Sequence, residues 1–173
     1  KESMNGSNIE LTNRTRRTRQ LIILNKLIKK IVNFPKLVVV ALNGEIVTPF
    51  FGASLAADIR IAADNVNFLL SHTKRNIHPS GALPYFLPKY IGHGKASNIL
   101  LGRDAISSDE ALELGLLSLI LPENNFEESA LEEVNNRTKS FNNAYNCSKV
   151  LLNSNYSDLE KYLSFEECEF KQI

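Results

Sequence analysis

Leu37-Val38-Val39-Val40-Ala41-Leu42-Asn43-Gly44 is the stretch from which the fold is read. Its first six residues are uncharged and rich in β-branched valine. That composition suits a short strand buried on both faces, as in a parallel sheet lying under helices. Asn43-Gly44 breaks the strand, since both residues favour turn geometry. Upstream, Pro35 closes a helical segment, because proline disfavours helical geometry in the residue before it. Within that segment Leu21, Leu24, Ile28, Ile31 and Val32 recur at helical spacing, with Asn25, Lys26, Lys29 and Lys30 on the other side. Downstream, Thr48-Pro49 opens a small-residue helix over Phe50–Asp58, with threonine as N-cap and proline at the first helical position. Ile59–Ala62 alternates and reads as a strand, ended by Ala63-Asp64-Asn65. Asn67–Ser71 reads as another.

The pattern continues toward the C-terminus. Lys74–Ser80 is a polar loop, and Gly81–Tyr90 is a helix or two short turns around Pro84 and Pro88. His93–Leu101 is a helix closed by Gly102. Ser107 and Glu110 form a capping box that opens a helix ending at Gly115. Leu117–Leu121 is a strand, followed by helices over Phe126–Ser140, Asn143–Leu152 and from Ser157. Strands alternating with helices argue for an α/β fold with parallel strands.

Composition removes several function classes. The chain has 173 residues, 43% hydrophobic, which is too apolar for a disordered segment. No run approaches the roughly 20 apolar residues that cross a bilayer. Lys+Arg number 20 against Asp+Glu 19, a net charge of +1, so there is no global field to attract nucleic acid or membrane. Arg14, Arg16, Arg17 and Arg19 read as a solvated face rather than a phosphate-binding patch, because no aromatic residue interleaves them. Residues 1–20 are expected to be a flexible polar arm, 21–122 the core and 123–173 a C-terminal helical region. Cys147 and Cys168 have no metal-ligand spacing and are expected as unpaired, buried or half-buried thiols.

Four runs in order resemble the crotonase superfamily, the enoyl-CoA hydratase/isomerase proteins. Pro35–Gly44 is similar to the strand and turn before that family's oxyanion-hole helix. Ala56-Ala57-Asp58-Ile59-Arg60-Ile61-Ala62-Ala63-Asp64-Asn65-Val66-Asn67-Phe68 is similar to its "ACDIRIAsenAkF" run. Leu87-Pro88-Lys89-Tyr90-Ile91-Gly92 is similar to "LPRlvG", and Ala105–Leu116 to "iSAeEAleiGLV". The resemblance runs from about Leu21 to the C-terminus. It implies a right-handed spiral of ββα turns (the ClpP/crotonase fold) lacking its first turns, with C-terminal helices that pack against neighbouring subunits in trimers or hexamers. The chain thus reads as the C-terminal two-thirds or so of a longer family member.

The resemblance also implies where chemistry would sit. Family members hold an acyl thioester, and stabilise its enolate oxygen with two backbone N–H groups fixed in a dry site. One donor lies in a glycine triplet that this chain replaces with Thr48-Pro49-Phe50. Pro49 falls on the donor position and has no N–H, so the Phe50 N–H or the Thr48 hydroxyl is the expected substitute. Hydratases deliver water with two carboxylates. The first of those positions is Gly52 and the second is His72, so neither is acidic. His72 remains a candidate general acid or base, since its ordinary pKa lies near neutrality. Ser80 and Gly81 occupy the substrate-loop position and are expected to shape the acyl pocket.

The function expected from this resemblance is an enoyl-CoA hydratase/isomerase-like lyase or isomerase. It would act on an acyl-CoA or acyl-carrier-protein thioester through an enolate-type intermediate, at an atypical site. The alternative is a non-catalytic subunit that binds thioester or partner chains. No cofactor or metal is implied beyond the coenzyme A of the substrate. A cytoplasmic or organelle-matrix homo-oligomer, a trimer or a dimer of trimers, is expected, without nucleic acid or membrane span.

Overall fold

The computed structural model describes residues 2–72, 74, 75, 77–139 and 143–170; the side chains of 2–14, 143 and 144 lie outside the description. Helix α1 (Glu2–Asn33) ends just before Pro35, as the sequence requires. It does not begin at Leu21. Residues 2–20, expected as an arm, form its first part. No proline interrupts them, and adding a turn to an existing helix avoids the cost of a new nucleus. The anchored half is the later one, where Leu21, Ile28 and Val32 are buried.

The strands form two layers. β1 (Val39–Leu42), β3 (Ile59–Ala63) and β6 (Leu119–Leu121) make one sheet, ordered β1-β3-β6 and wholly parallel. β2 (Glu45–Val47), β4 (Asn67–Leu69) and β5 (Ala105–Ser107) make the second, ordered β2-β4-β5. In it β2 pairs parallel with β4, but β4 pairs antiparallel with β5. The expectation of parallel strands throughout is therefore corrected at β5. β2 escapes a periodicity reading because three residues are too few to show one. Each pair β1–β2 and β3–β4 steps from one sheet to the other across a short turn and is followed by a helix. This is the repeating unit of a ββα spiral.

Helices fill the connections: α2 (Thr48–Ser54), α3 (Leu83–Ile91), α4 (His93–Gly102) and α5 (Ser108–Glu113). The Ser107 hydroxyl accepts the Glu110 N–H at 3.2 Å, the N-cap half of the expected capping box, whereas the Glu110 carboxylate pairs with Arg103 at 2.8 Å. The C-terminal region is helical, with α6 (Phe126–Thr138), α7 (Asn143–Asn153) and α8 (Leu159–Phe170). Ser140, expected to end α6, lies outside the described residues. Cys147 and Cys168 are unpaired but exposed, because both stand on the outer faces of α7 and α8 rather than facing the core.

The core joins the two layers. Phe51 of α2 and Phe68 of β4 are fully buried, with ring centroids 4.3 Å apart. Arg60, on β3, is buried beneath Tyr90 and donates to the carbonyls of Ala57 at 2.7 Å and Leu116 at 2.5 Å. Asp58 accepts the Val38 N–H at 2.7 Å and pairs with the buried Lys149 at 2.6 Å. Lys149 also donates to the Lys36 carbonyl at 2.8 Å. One ion pair thus pins α7 to the start of β1. Removing one partner of such a pair leaves an uncompensated charge. Lys149→Ala is expected to lower the unfolding free energy by about 3 kcal/mol in urea titrations. A loss below about 1 kcal/mol would contradict that role.

Candidate functional site

The site begins where β2 runs into α2. Val47, not Thr48, is the N-cap residue, and no side chain caps the helix. Thr48 is instead the first helical residue, and its hydroxyl donates to the Leu69 carbonyl at 3.0 Å. This ties α2 to β4 and leaves that hydroxyl committed. The first-turn N–H groups of a helix have no acceptor within the helix. Pro49 subtracts one of them, so Phe50 carries the next N–H along that turn. The Phe50 ring is 59% exposed.

His72 follows β4 and is only 3% exposed. Its Nε2 lies 2.9 Å from the Leu100 carbonyl, which can only accept, so Nε2 carries the proton. Its Nδ1 faces the Thr48 hydroxyl at 3.4 Å. That hydroxyl's one hydrogen goes to Leu69, so Nδ1 keeps its lone pair inside the protein, and the ring ties the exit of β4 to α4 through the Leu100 bond. A general base must offer a lone pair within reach of its substrate. The geometry around His72 is that of a buried brace.

Gly52 and Gly81 come together. A Cβ on Gly52 would stand 2.7 Å from the Leu83 nitrogen and closer still to the Gly81 carbonyl oxygen. A Cβ on Gly81 would stand 2.8 Å from the Pro49 carbonyl carbon and closer to its oxygen. So the main chain around Gly81 lies directly on the first turns of α2, over Gly52. Gly81 has φ +76°, and the next residue, Ala82, has φ +57°. Two successive left-handed residues swing the chain into α3, at a cost of about 1–2 kcal/mol for the alanine. Ser80 is half-buried beside them.

A residue absent from the sequence reading completes this turn. Glu166 of α8 is 3% exposed and accepts the Ala82 N–H at 3.0 Å through Oε1. Its Oε2 is buried and has no partner among the described residues. Burial pushes the Glu166 carboxyl up to about 7; the Ala82 N–H opposes that and the neighbouring Glu167 adds to it. His78, earlier in the loop, donates from Nδ1 to the Pro79 carbonyl at 2.9 Å and sets its ring edge-on to Phe170, centroids 4.9 Å apart. One signal for Glu166 was present. It shares a helical face with the buried Leu159 and Leu163, an acidic residue on an apolar stripe. Among the described residues no cluster of three or more His, Cys, Asp or Glu could hold a metal ion. A cleft of about 310 Å³ lies elsewhere, between Tyr90, Tyr145, Lys149 and Tyr156.

Two outcomes follow from this packing. Gly52→Glu, which returns a carboxylate to the first position, is expected to lose more than about 2 kcal/mol of stability and gain no hydratase activity, because its Cβ overlaps backbone. A stable variant that hydrates an enoyl thioester would contradict the packing. The second concerns pH. The Glu166 carboxyl has its pKa raised on folding, so its stabilising contribution is full below about pH 4.5 and is lost as pH rises through about 7. Glu166→Gln does not titrate. Its stability relative to wild type is expected to improve between pH 5 and 8, by at most on the order of 3 kcal/mol in denaturant titrations at each pH. A flat difference would show that the carboxyl is not desolvated.

A model of the enoyl-CoA hydratase/isomerase family matches residues 8–173. Enoyl-CoA delta isomerase 2 of Rattus norvegicus is 27% identical over 151 residues, covering 85% of this chain and 38% of that protein. A probable enoyl-CoA hydratase of Bacillus subtilis is 34% identical over 94 residues, 54% of this chain and 36% of that protein. The crystal structure of enoyl-CoA hydratase from Bacillus halodurans superposes with a TM-score of 0.80 at 30% identity, covering 88% of this chain and 61% of that one. The chain spans between about a third and two thirds of the length of the relatives it matches. The order of strands and helices, the four sequence runs and the family match agree: this chain belongs to the enoyl-CoA hydratase/isomerase family of the crotonase superfamily.

Proposed function

We propose that this chain binds an acyl-CoA or acyl-carrier-protein thioester and does not hydrate it through a carboxylate pair. The observation that carries this reading is the contact between Gly52 and Gly81. Main chain fills the space above the first carboxylate position, and no acidic side chain stands at either position. Pro49 supports the reading, since it removes one donor for a thioester oxygen. So does the burial of His72 between Thr48 and the Leu100 carbonyl. Between the two functions that the sequence left open, these three features favour binding over turnover.

A homo-oligomer is part of this reading. Val150, Leu151 and Leu152 are each about 70% exposed on α7, an apolar run that a monomer leaves in water. Among the described residues no helix is long and apolar enough to cross a membrane.

The test pairs calorimetry with a hydration assay on crotonyl-CoA, using wild type and His72→Ala. Saturable binding is expected, with no turnover above the uncatalysed rate in either protein. Turnover in wild type that disappears in His72→Ala would overturn the reading and restore His72 as an acid or base. Absence of binding would overturn it as well.

A further inference from the structure

The Gly81–Ala82 turn does not hold its own shape. It needs a left-handed alanine directly after a left-handed glycine, a pairing that L residues avoid. Its inner side is set by contact with Pro49 and Gly52. Its outer side is set by α8, a helix almost 80 residues further along the chain, through the Glu166 carboxylate on the Ala82 N–H. The same helix is fastened at four other places. Asn25 of α1 donates to Glu167 at 3.0 Å, and Lys29 to Glu160 at 3.0 Å. Tyr85 of α3 donates to Asp158, just before α8, at 2.6 Å, and the His78 ring meets Phe170.

This fastening is incomplete at its centre. Glu166 Oε2, His78 Nε2 and Asn25 Oδ1 are buried without partners among the described residues. Each is a polar atom that gives up water and receives nothing in return. Among the described residues α8 meets the loop through the Glu166–Ala82 hydrogen bond and the His78–Phe170 ring contact, with Glu166 Oε2 and His78 Nε2 left unsatisfied. A seam of this kind is poised to open, and a ligand that prefers one arrangement can tip it. Glu166 meets the Ala82 N–H on the loop, with Tyr162 and Glu167 beside it on α8.

We propose that Glu166 is a positioning residue for the thioester site. Its carboxylate latches α8 onto the Gly81–Ala82 turn, so that docking of α8 and occupation of the site are one coupled equilibrium. The coupling rests on the thioester-binding reading above, whereas the latch rests on the geometry of the turn alone.

The experiment is amide hydrogen exchange on the unliganded full chain, combined with crotonyl-CoA affinity, for wild type, Glu166→Gln and Glu166→Ala. Gln keeps an acceptor for the Ala82 N–H and Ala does not. In the alanine variant, protection at Ala82–Leu83 and along α8 is expected to fall on the order of tenfold or more, while β1 amides stay as in wild type. Crotonyl-CoA affinity falls by a similar factor, and the glutamine variant restores both. Unchanged protection at the turn, or an equal loss in β1, overturns the latch, the second because it marks a general loss of stability. Affinity that is the same in all three proteins overturns the coupling. A wild type that shows the exchange contrast but does not bind crotonyl-CoA overturns the function reading and leaves the latch standing. Should the alanine variant not fold, Glu166→Asp, which withdraws the carboxylate by one methylene, is read by the same criteria.

Discussion

The contact on which the rest of the site depends is that of the Gly81–Ala82 turn against Pro49 and Gly52. It is steric before it is anything else. Only glycine fits at both positions, because a Cβ at either would overlap backbone, and interiors packed to crystal density cannot yield by that much. The consequence is chemical. The space that a side chain at Gly52 would need holds a peptide carbonyl instead. Pro49, on the helix turn below, lacks the N–H that its position would otherwise offer.

The scaffold explains why the turn stays there. From inside, α2 is locked by the close-packed, mutually tilted rings of Phe51 and Phe68 and by the bond from Thr48 to Leu69. From outside, α8 bears on the loop through Glu166 and Phe170. Further off, the Lys149–Asp58 pair joins the C-terminal helices to the first strand of the parallel sheet. So the C-terminal region is part of the site's support and not an appendage to it. A buried carboxyl such as Glu166 is costly in its charged form. Its one bond is what makes its burial tolerable.

Much of this architecture was legible in the sequence, for identifiable reasons. Val39–Leu42 is an uncharged run with two valines, and Ser107 caps the Glu110 N–H, so each carries its structure locally. The resemblance of the four runs implies chemistry positions at Pro49, Gly52 and His72. Other features were not legible. β2 is three residues long, too short to have a period. Residues 2–20 owe their helical state to continuity with an anchored neighbour, which polar composition hides. Thr48 has the composition of an N-cap, yet a tertiary acceptor at Leu69 claims its hydroxyl. The Gly52–Gly81 contact joins residues far apart in the chain, and no local pattern reports such a distance. Glu166 left a trace, an acid among leucines on one face of α8, whose meaning appears only with Ala82 beside it.

These points bear on how the site treats a thioester. An oxyanion hole polarises a carbonyl by aiming fixed donors at its oxygen, and the effect is large in a dry site. In the proposed reading, Pro49 stands at one of the two donor positions. The most direct measurement is the carbonyl stretching frequency of crotonyl-CoA bound to the full chain, read by isotope-edited infrared difference spectroscopy. The account predicts a band close to that of the free thioester, because a second backbone donor is missing. A strong shift to lower frequency would contradict it, by showing that two donors still converge on the oxygen.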